Sequence, residues 1–324
     1  MKKVLKIVGR ILLVILAVAL LGLAVLTIRH GVKSKKDREF VKDAYGEYVT
    51  LSTGERVNYT FYDSPSEEVA VVLPGFGSFS VHYEFDAFRQ KIADKYKVIL
   101  FEPLGYGLSD KTDRPRTSEN ICNELHEVMT KLGYDRYTLI SHSISGIYML
   151  KYANMFEDEV VSCIGIDSSV PDQMNFGPEE AKPDNVVKFY KRIRPLITTG
   201  IYRVMTESSF DSDVLAYIPT ITDEDDKKKA LALSCIDQLN DTQLDEMVQA
   251  KANMSELLDK TFPESVPVLF LLSKTNCETL PEWKPAHEKL MSAPGSLTIL
   301  IEGGHYLHYT SLDDITDQIL SWEP

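Results

Sequence analysis

Six short runs of aliphatic residues punctuate the chain from position 69 onward: "VAVVLPG" (69–75), "YKVILFE" (96–102), "YTLISHS" (137–143), "VSCIGID" (161–167), "VPVLFLL" (266–272) and "LTILIEG" (297–303). They are nearly unbroken rather than alternating, so each predicts a strand buried on both faces, as in a parallel sheet covered by helices. Between them lie stretches with helical period. In "ICNELHEVMTKLG" (121–133), Ile121, Leu125, Val128, Met129 and Leu132 share one face and Gly133 ends the helix. Strand and helix in alternation predict a doubly wound α/β fold with a mostly parallel sheet. "VNYTFYD" (57–63) adds an antiparallel strand at the N-terminal edge.

The rhythm breaks twice. From Pro171 to Phe262 no buried-strand run occurs, and the text is helical and charged. An insertion between the fourth and fifth of the runs named above would sit over one end of the sheet, so residues 171–262 are expected to form a helical lid. At the other break, residues 11–28, "ILLVILAVALLGLAVLTI", carry no charge over 18 positions. At about 1.5 Å per residue such a helix crosses most of a hydrocarbon core. The run exceeds a signal-peptide core, and no small-residue cleavage pattern follows it before Arg29. The expected organisation is a basic tail and transmembrane anchor (1–28), a polar connector (29–42) and an α/β domain (43–324).

Charge sharpens that division. Residues 1–42 hold ten Lys and Arg against two Asp and Glu, which leaves 25 basic and 46 acidic residues, a net charge of -21, for the rest. A body so acidic repels phosphate backbones and argues against a nucleic-acid partner. Lys2, Lys3, Lys6 and Arg10 precede the apolar run, while Arg29, Lys33, Lys35, Lys36 and Arg38 follow it, so flanking charge gives no decisive orientation. A short basic tail before a large C-terminal domain resembles a signal anchor, which implies a single-pass membrane protein with its domain outside the cytoplasm. Cys122, Cys163, Cys235 and Cys277 lack metal-ligand spacing and read as separate buried thiols.

The chemistry-bearing stretch is "LISHSISGI" (139–147). An apolar strand, a turn and an amphipathic helix are the setting a nucleophile elbow requires, with small residues on either side of the nucleophile. Ser141 and Ser145 occupy the small positions, which makes Ser143 the candidate nucleophile. The bland alternative is that Ser143 caps the following helix, a role serine favours. "VVLPGFGSFS" (71–80), "FEPLGYGLSD" (101–110) and "IEGGHYLHYT" (301–310) supply further ordered segments.

Together these segments resemble the α/β-hydrolase superfamily, in its serine esterase and lipase-like branch, from about residue 45 to the end. The resemblance implies that "VVLPGFGSFS" is the oxyanion loop, with Pro74 in place of a usual histidine, and that Glu102 takes a usual aspartate position. It implies Ser143 as nucleophile, His305 as base, and the backbone N–H groups of Phe76 and Ile144 as oxyanion donors. His308 competes as base but reads better as a packing residue, and His142 is expected to contact neighbouring loops. The acid departs from the commonest pattern, because Asn276 stands where an aspartate is usual. Asp167, at the tip of the preceding strand, is the favoured acid; Asn276 and Glu278 are the reserve positions.

A Ser-His-Asp triad implies acyl transfer, with a small-molecule or lipidic carboxylic ester as the expected substrate. No cofactor or metal motif is present in the sequence, so neither is expected. A peptidase of the proline-iminopeptidase type stays open, as do a thioesterase and a C–C bond hydrolase. A non-catalytic membrane-tethered binding protein is the alternative from another class. In the lid, Phe176, Phe189, Tyr190, Ile193, Ile197, Ile201, Tyr202 and Met205 are candidates for an apolar acyl pocket.

Overall fold

The computed structural model describes residues 2–218 and 220–323. Its first element is a single long helix, α1 (Lys2–Val41). The part covering the uncharged run is long and apolar enough to cross a membrane, and none of it is buried against the rest of the chain. Residues 29–41, expected as a connector, continue the same helix. There Ser34 and Val41 are buried, because this half of the helix is packed against the body of the protein.

The sheet begins with β1 (Glu47–Thr50), β2 (Arg56–Tyr62) and β3 (Val69–Leu73). Helices α2 (Val81–Glu84) and α3 (Asp86–Ile92) lead into β4 (Lys97–Phe101). Then come α4 (Ser118–Leu132), β5 (Tyr137–His142), α5 (Ser145–Met155) and β6 (Val160–Ile166). After β6 the chain is helical, with α6 (Gln173–Phe176), α7 (Pro183–Thr198), α8 (Ile201–Asp213), α9 (Glu224–Cys235) and α10 (Asp241–Ser255). It returns to the sheet in β7 (Val268–Ser273), passes through α11 (Lys274–Thr279) and α12 (Trp283–Glu288), and enters β8 (Leu297–Ile301). Short α13 (Leu307–Thr310) and α14 (Leu312–Ser321) close the fold.

Strand order is β1-β2-β4-β3-β5-β6-β7-β8. Only the pairings of β1 with β2 and of β2 with β4 are antiparallel. The runs of the central strands are nearly uninterrupted because both faces of the sheet are covered there. Strand β8, at the sheet edge, departs from the expectation of burial on both faces, since Leu297 and Leu300 are exposed and only Ile301 is buried. Along β3, Val69, Val71 and Leu73 enter the core shared with α4, α5 and α10, while Ala70 and Val72 enter the core shared with α3 and α14. Both Val71 and Val72 are fully buried, and each such side chain contributes roughly 1.5–3 kcal/mol relative to exposure.

Local signals set the helix ends. Thr117 caps α4 by accepting from the Asn120 N–H, and Gly133, at φ 79°, ends it in the left-handed conformation. Of the four cysteines, Cys122, Cys163 and Cys235 are buried and free, whereas Cys277 is free but half-exposed.

Candidate active site

The parallel strands deliver their C-terminal ends to one edge, and the polar groups gather there. Ser143 follows β5 directly and holds φ 55°, a left-handed value that a residue with a side chain adopts only when its surroundings impose it. Its carbonyl accepts from the N–H groups of Gly146 (3.0 Å) and Ser169 (2.7 Å), which fixes the turn. Helix α5 starts at Ser145 with Ile144 as its cap residue and no side-chain cap bond, so the Ser143 hydroxyl is not used for capping. Ser145 donates to the Pro74 carbonyl and so ties the helix to the loop after β3. Gly75 lies in that loop, where a Cβ would stand 2.6 Å from His142 Nδ1 and 3.2 Å from Ser143 Cβ. Only glycine permits so close an approach.

Ser143 Oγ lies 2.9 Å from His305 Nε2, and His305 Nδ1 lies 2.7 Å from Asp167 Oδ2. Nδ1 faces a carboxylate and therefore carries the ring proton, leaving Nε2 to accept from the hydroxyl. Asp167 is fully buried and also takes a left-handed φ of 40°. Its Oδ1 accepts from the Ser273 N–H (2.9 Å) and Trp283 Nε1 (2.9 Å), and its Oδ2 from Asn276 Nδ2 (2.5 Å) as well as His305. Four donors therefore converge on one desolvated carboxylate. That satisfies its lone pairs and locks its plane, the arrangement a buried charge requires.

The structure thus brings Ser143, His305 and Asp167 into one line. Asn276, a reserve position for the acid, instead donates its amide to Asp167, and Glu278 is exposed to solvent. Trp283 is a further contributor, 116 positions from Asp167, that the sequence reading did not single out. Phe76 lines the same cavity as Ser143 and Ile144 follows it in the chain, and the N–H groups of both donate to no group among the described residues.

The other two histidines of this corner are structural. His142 is buried, its Nε2 lies 3.1 Å from the His305 carbonyl, and its ring packs 4.5 Å from that of His308. Burial depresses its pKa, as do the neighbouring His308 and His305. His308 stacks on Phe85 at 4.6 Å. Burial, with a smaller contribution from His305, pushes its pKa down to about 3, so it stays neutral and makes no bond to Ser143. Glu102 is buried beneath the site and accepts from Tyr45 (2.9 Å), the Val81 N–H (3.0 Å) and the Leu108 N–H (2.8 Å). Burial nonetheless pushes its carboxyl up to about 7.

Two cavities meet at Ser143. One of about 210 Å³ runs past Phe76, Phe79, Asp213 and Tyr306. The other, of about 290 Å³, is bounded by Met174, Met254, Leu280 and Trp283. Of the residues expected to line an apolar pocket, Tyr190 reaches the site, with its ring 5.2 Å from that of Phe76, and Phe176 packs 6.3 Å from Trp283. Phe189 is 56% exposed and faces outward, whereas Met205, though 59% exposed, lines a neighbouring cavity together with Tyr202.

Residues 70–318 match the family model described as the Alpha/beta hydrolase family. The Bacillus subtilis (strain 168) uncharacterized protein YbdG is 24% identical over 273 residues, 84% of this chain and 81% of that protein. Epoxide hydrolase 1 of Caenorhabditis elegans is 24% identical over 156 residues, 45% of this chain and 37% of that enzyme. The solved structure of a thermophilic esterase from Thermogutta terrifontis superposes with a TM-score of 0.60 at 20% identity, covering 86% of this chain and 98% of that one. With the family model spanning most of the chain, from β3 to α14, this protein belongs to the alpha/beta hydrolase family.

Proposed function

We propose that the protein is a membrane-anchored serine hydrolase that cleaves a carboxylic ester through an acyl-enzyme. The observation that supports this most is the hydrogen-bonded line from Asp167 through His305 to Ser143, set beside two unpaired N–H groups. In this reading His305 Nε2 takes the Ser143 proton as Oγ attacks the ester carbonyl. The N–H groups of Phe76 and Ile144 hold the oxyanion, and Asp167 stabilises the imidazolium. Collapse expels the alcohol, which leaves with the proton from His305. Water then attacks the acyl group with His305 again as base, and the carboxylic acid and free Ser143 are released.

The helices between β6 and β7 act as the lid over both cavities. The apolar run of α1 anchors the chain in a bilayer, with the short basic tail in the cytoplasm and the catalytic domain on the opposite side. An epoxide-opening reaction of the aspartate-nucleophile kind does not suit a hydroxyl at Ser143. A peptidase acting on a free N-terminal amine is the second reading, favoured by Glu84 and Asp213 at the edge of the smaller cavity. The test is fluorophosphonate labelling of the detergent-solubilised full chain, with p-nitrophenyl ester and aminoacyl p-nitroanilide turnover. Labelling lost in Ser143→Ala, with esters preferred, supports the proposal. A folded chain that neither labels nor turns over substrate would leave a binding protein as the better reading, and a preference for the anilide would favour the peptidase.

A further inference from the structure

We infer that the outward face of α7 rests on the anionic surface of the same bilayer that α1 crosses, so that esters reach Ser143 from the membrane side. This rests on α1 being a membrane span.

The orientation follows from how α1 is held. Arg203 of α8, only 1% exposed, donates to His30 Nδ1 (3.1 Å), Asp37 Oδ2 (2.6 Å) and Ser34 Oγ (2.9 Å). Arg29 and Lys33 pair with Glu207 at 2.7 and 2.6 Å, and Arg38 pairs with Asp237 at 2.9 Å. A helix clamped by so many side-chain bonds is a rigid strut, and its direction fixes how the body sits on the membrane. The height follows from Gly200, between α7 and α8. A Cβ there would stand 2.5 Å from His30 Cβ and 3.1 Å from the Leu26 carbonyl oxygen. The uncharged run ends at Ile28, so the α7–α8 junction lies at the level where α1 leaves the hydrocarbon.

The surface presented there has the matching chemistry. Lys188, Phe189, Lys191, Arg192, Pro195 and Leu196 are exposed and fall on one face of α7. Phe189 and Leu196 are 56% and 41% exposed. Lys191 and Arg192 form no ion pair among the described residues. On the opposite face Val186, Val187 and Tyr190 pack on the core. A basic and apolar strip, on a body whose net charge as a whole is -21, complements an anionic interface. Beside it, a cavity of about 310 Å³ bounded by Tyr202, Met205 and Val214 shares Gly77 and Phe79 with the cavity that reaches Ser143. This gives a course from the membrane side of α8 to the hydroxyl.

The test uses the full chain reconstituted in phosphatidylcholine vesicles, with and without phosphatidylglycerol, containing brominated lipid as a quencher. Phe189→Trp reports on the strip and Val14→Trp on the span, each read against the wild-type background of Trp283 and Trp322. The expected result is quenching at both positions, stronger at 189 with the anionic lipid. Lys191→Glu combined with Arg192→Glu should remove the lipid dependence at 189. It should slow hydrolysis of a vesicle-embedded long-chain p-nitrophenyl ester about tenfold, while p-nitrophenyl acetate turnover stays unchanged. Quenching at 14 without quenching at 189 would overturn the proposal alone and assign the strip to a protein partner or a second copy. Loss of both signals would overturn the span and this proposal with it. Failure to turn over p-nitrophenyl acetate would count against the hydrolase reading and, with it, the membrane-side course of esters to Ser143, leaving the lipid contact to be judged by the quenching.

Discussion

His308 offers a quantitative test because its buried ring is kept neutral without taking part in the proposed chemistry. It is 3% exposed, stacked on Phe85, and its Nδ1 has no partner among the described residues. Its pKa falls from 6.5 in the unfolded chain to about 3 in the fold, chiefly through burial. The unfolded chain therefore binds the extra proton across that window. This contribution to stability is fully present above 6.5 and is lost as pH falls through the window toward about 3. By about pH 5 the loss is about 1.5 pH units at roughly 1.4 kcal/mol each, or about 2 kcal/mol. His308→Phe should remove this dependence while keeping the stack. Urea unfolding in detergent at neutral pH and at about pH 5 should show the wild type losing about 2 kcal/mol more than the variant. Ester turnover at neutral pH should stay within about tenfold of wild type in His308→Phe, whereas His305→Ala should reduce it by several orders of magnitude. Equal acid sensitivity in the two proteins, or turnover that collapses with His308→Phe, would refute the reasoning.

Further predictions concern the acid and the supports around it. In Asp167→Asn an amide NH2 must face two of the four converging donors at one of its ends, so stability should fall by about 2–6 kcal/mol and kcat by about four orders of magnitude, read by thermal unfolding and ester turnover. The exchange Asp167→Asn with Asn276→Asp should not restore turnover, because Asn276 touches Asp167 rather than His305; a restored rate would move the acid to the later strand. Asp37→Ala removes the nearest charge from buried Arg203 and should cost about 3 kcal/mol in unfolding measurements. Gly107→Ala would place a Cβ 2.0 Å from Glu102 Oε2 at φ 47°, and the combined strain should cost about 3 kcal/mol or more, visible as a lowered melting temperature.

The runs of the central strands were readable because a parallel sheet between two helical layers leaves room for few polar positions, such as Thr138 and Ser162, which bond to each other. The run of β8 looked the same although its edge position leaves Leu297 and Leu300 exposed. Strand β1 was missed because its four residues at the sheet edge bury only Val49, too little to leave a periodic trace. The helical state of residues 29–41 was also missed. Their Lys, Arg and Glu residues favour helix, but the groups that hold them, Arg203, Glu207 and Asp237, lie some 170 to 200 positions away. Ser143, His305 and Asp167 could be singled out because each ends a recognisable strand or follows a glycine turn. Asn276 was noticed as an anomaly, yet its part as a donor to Asp167 depends on packing between β6 and β7. Trp283 carries no local signal at all, since an indole on a short helix usually only fills a core.

The most direct measurement of the central claim is mass analysis of the intact full chain quenched during turnover of a p-nitrophenyl ester. The account predicts one acyl group per chain, mapped to Ser143, with a burst of p-nitrophenol equal to the enzyme present. An acyl group on another residue, or hydrolysis with no acyl-enzyme and no effect of Ser143→Ala, would contradict it.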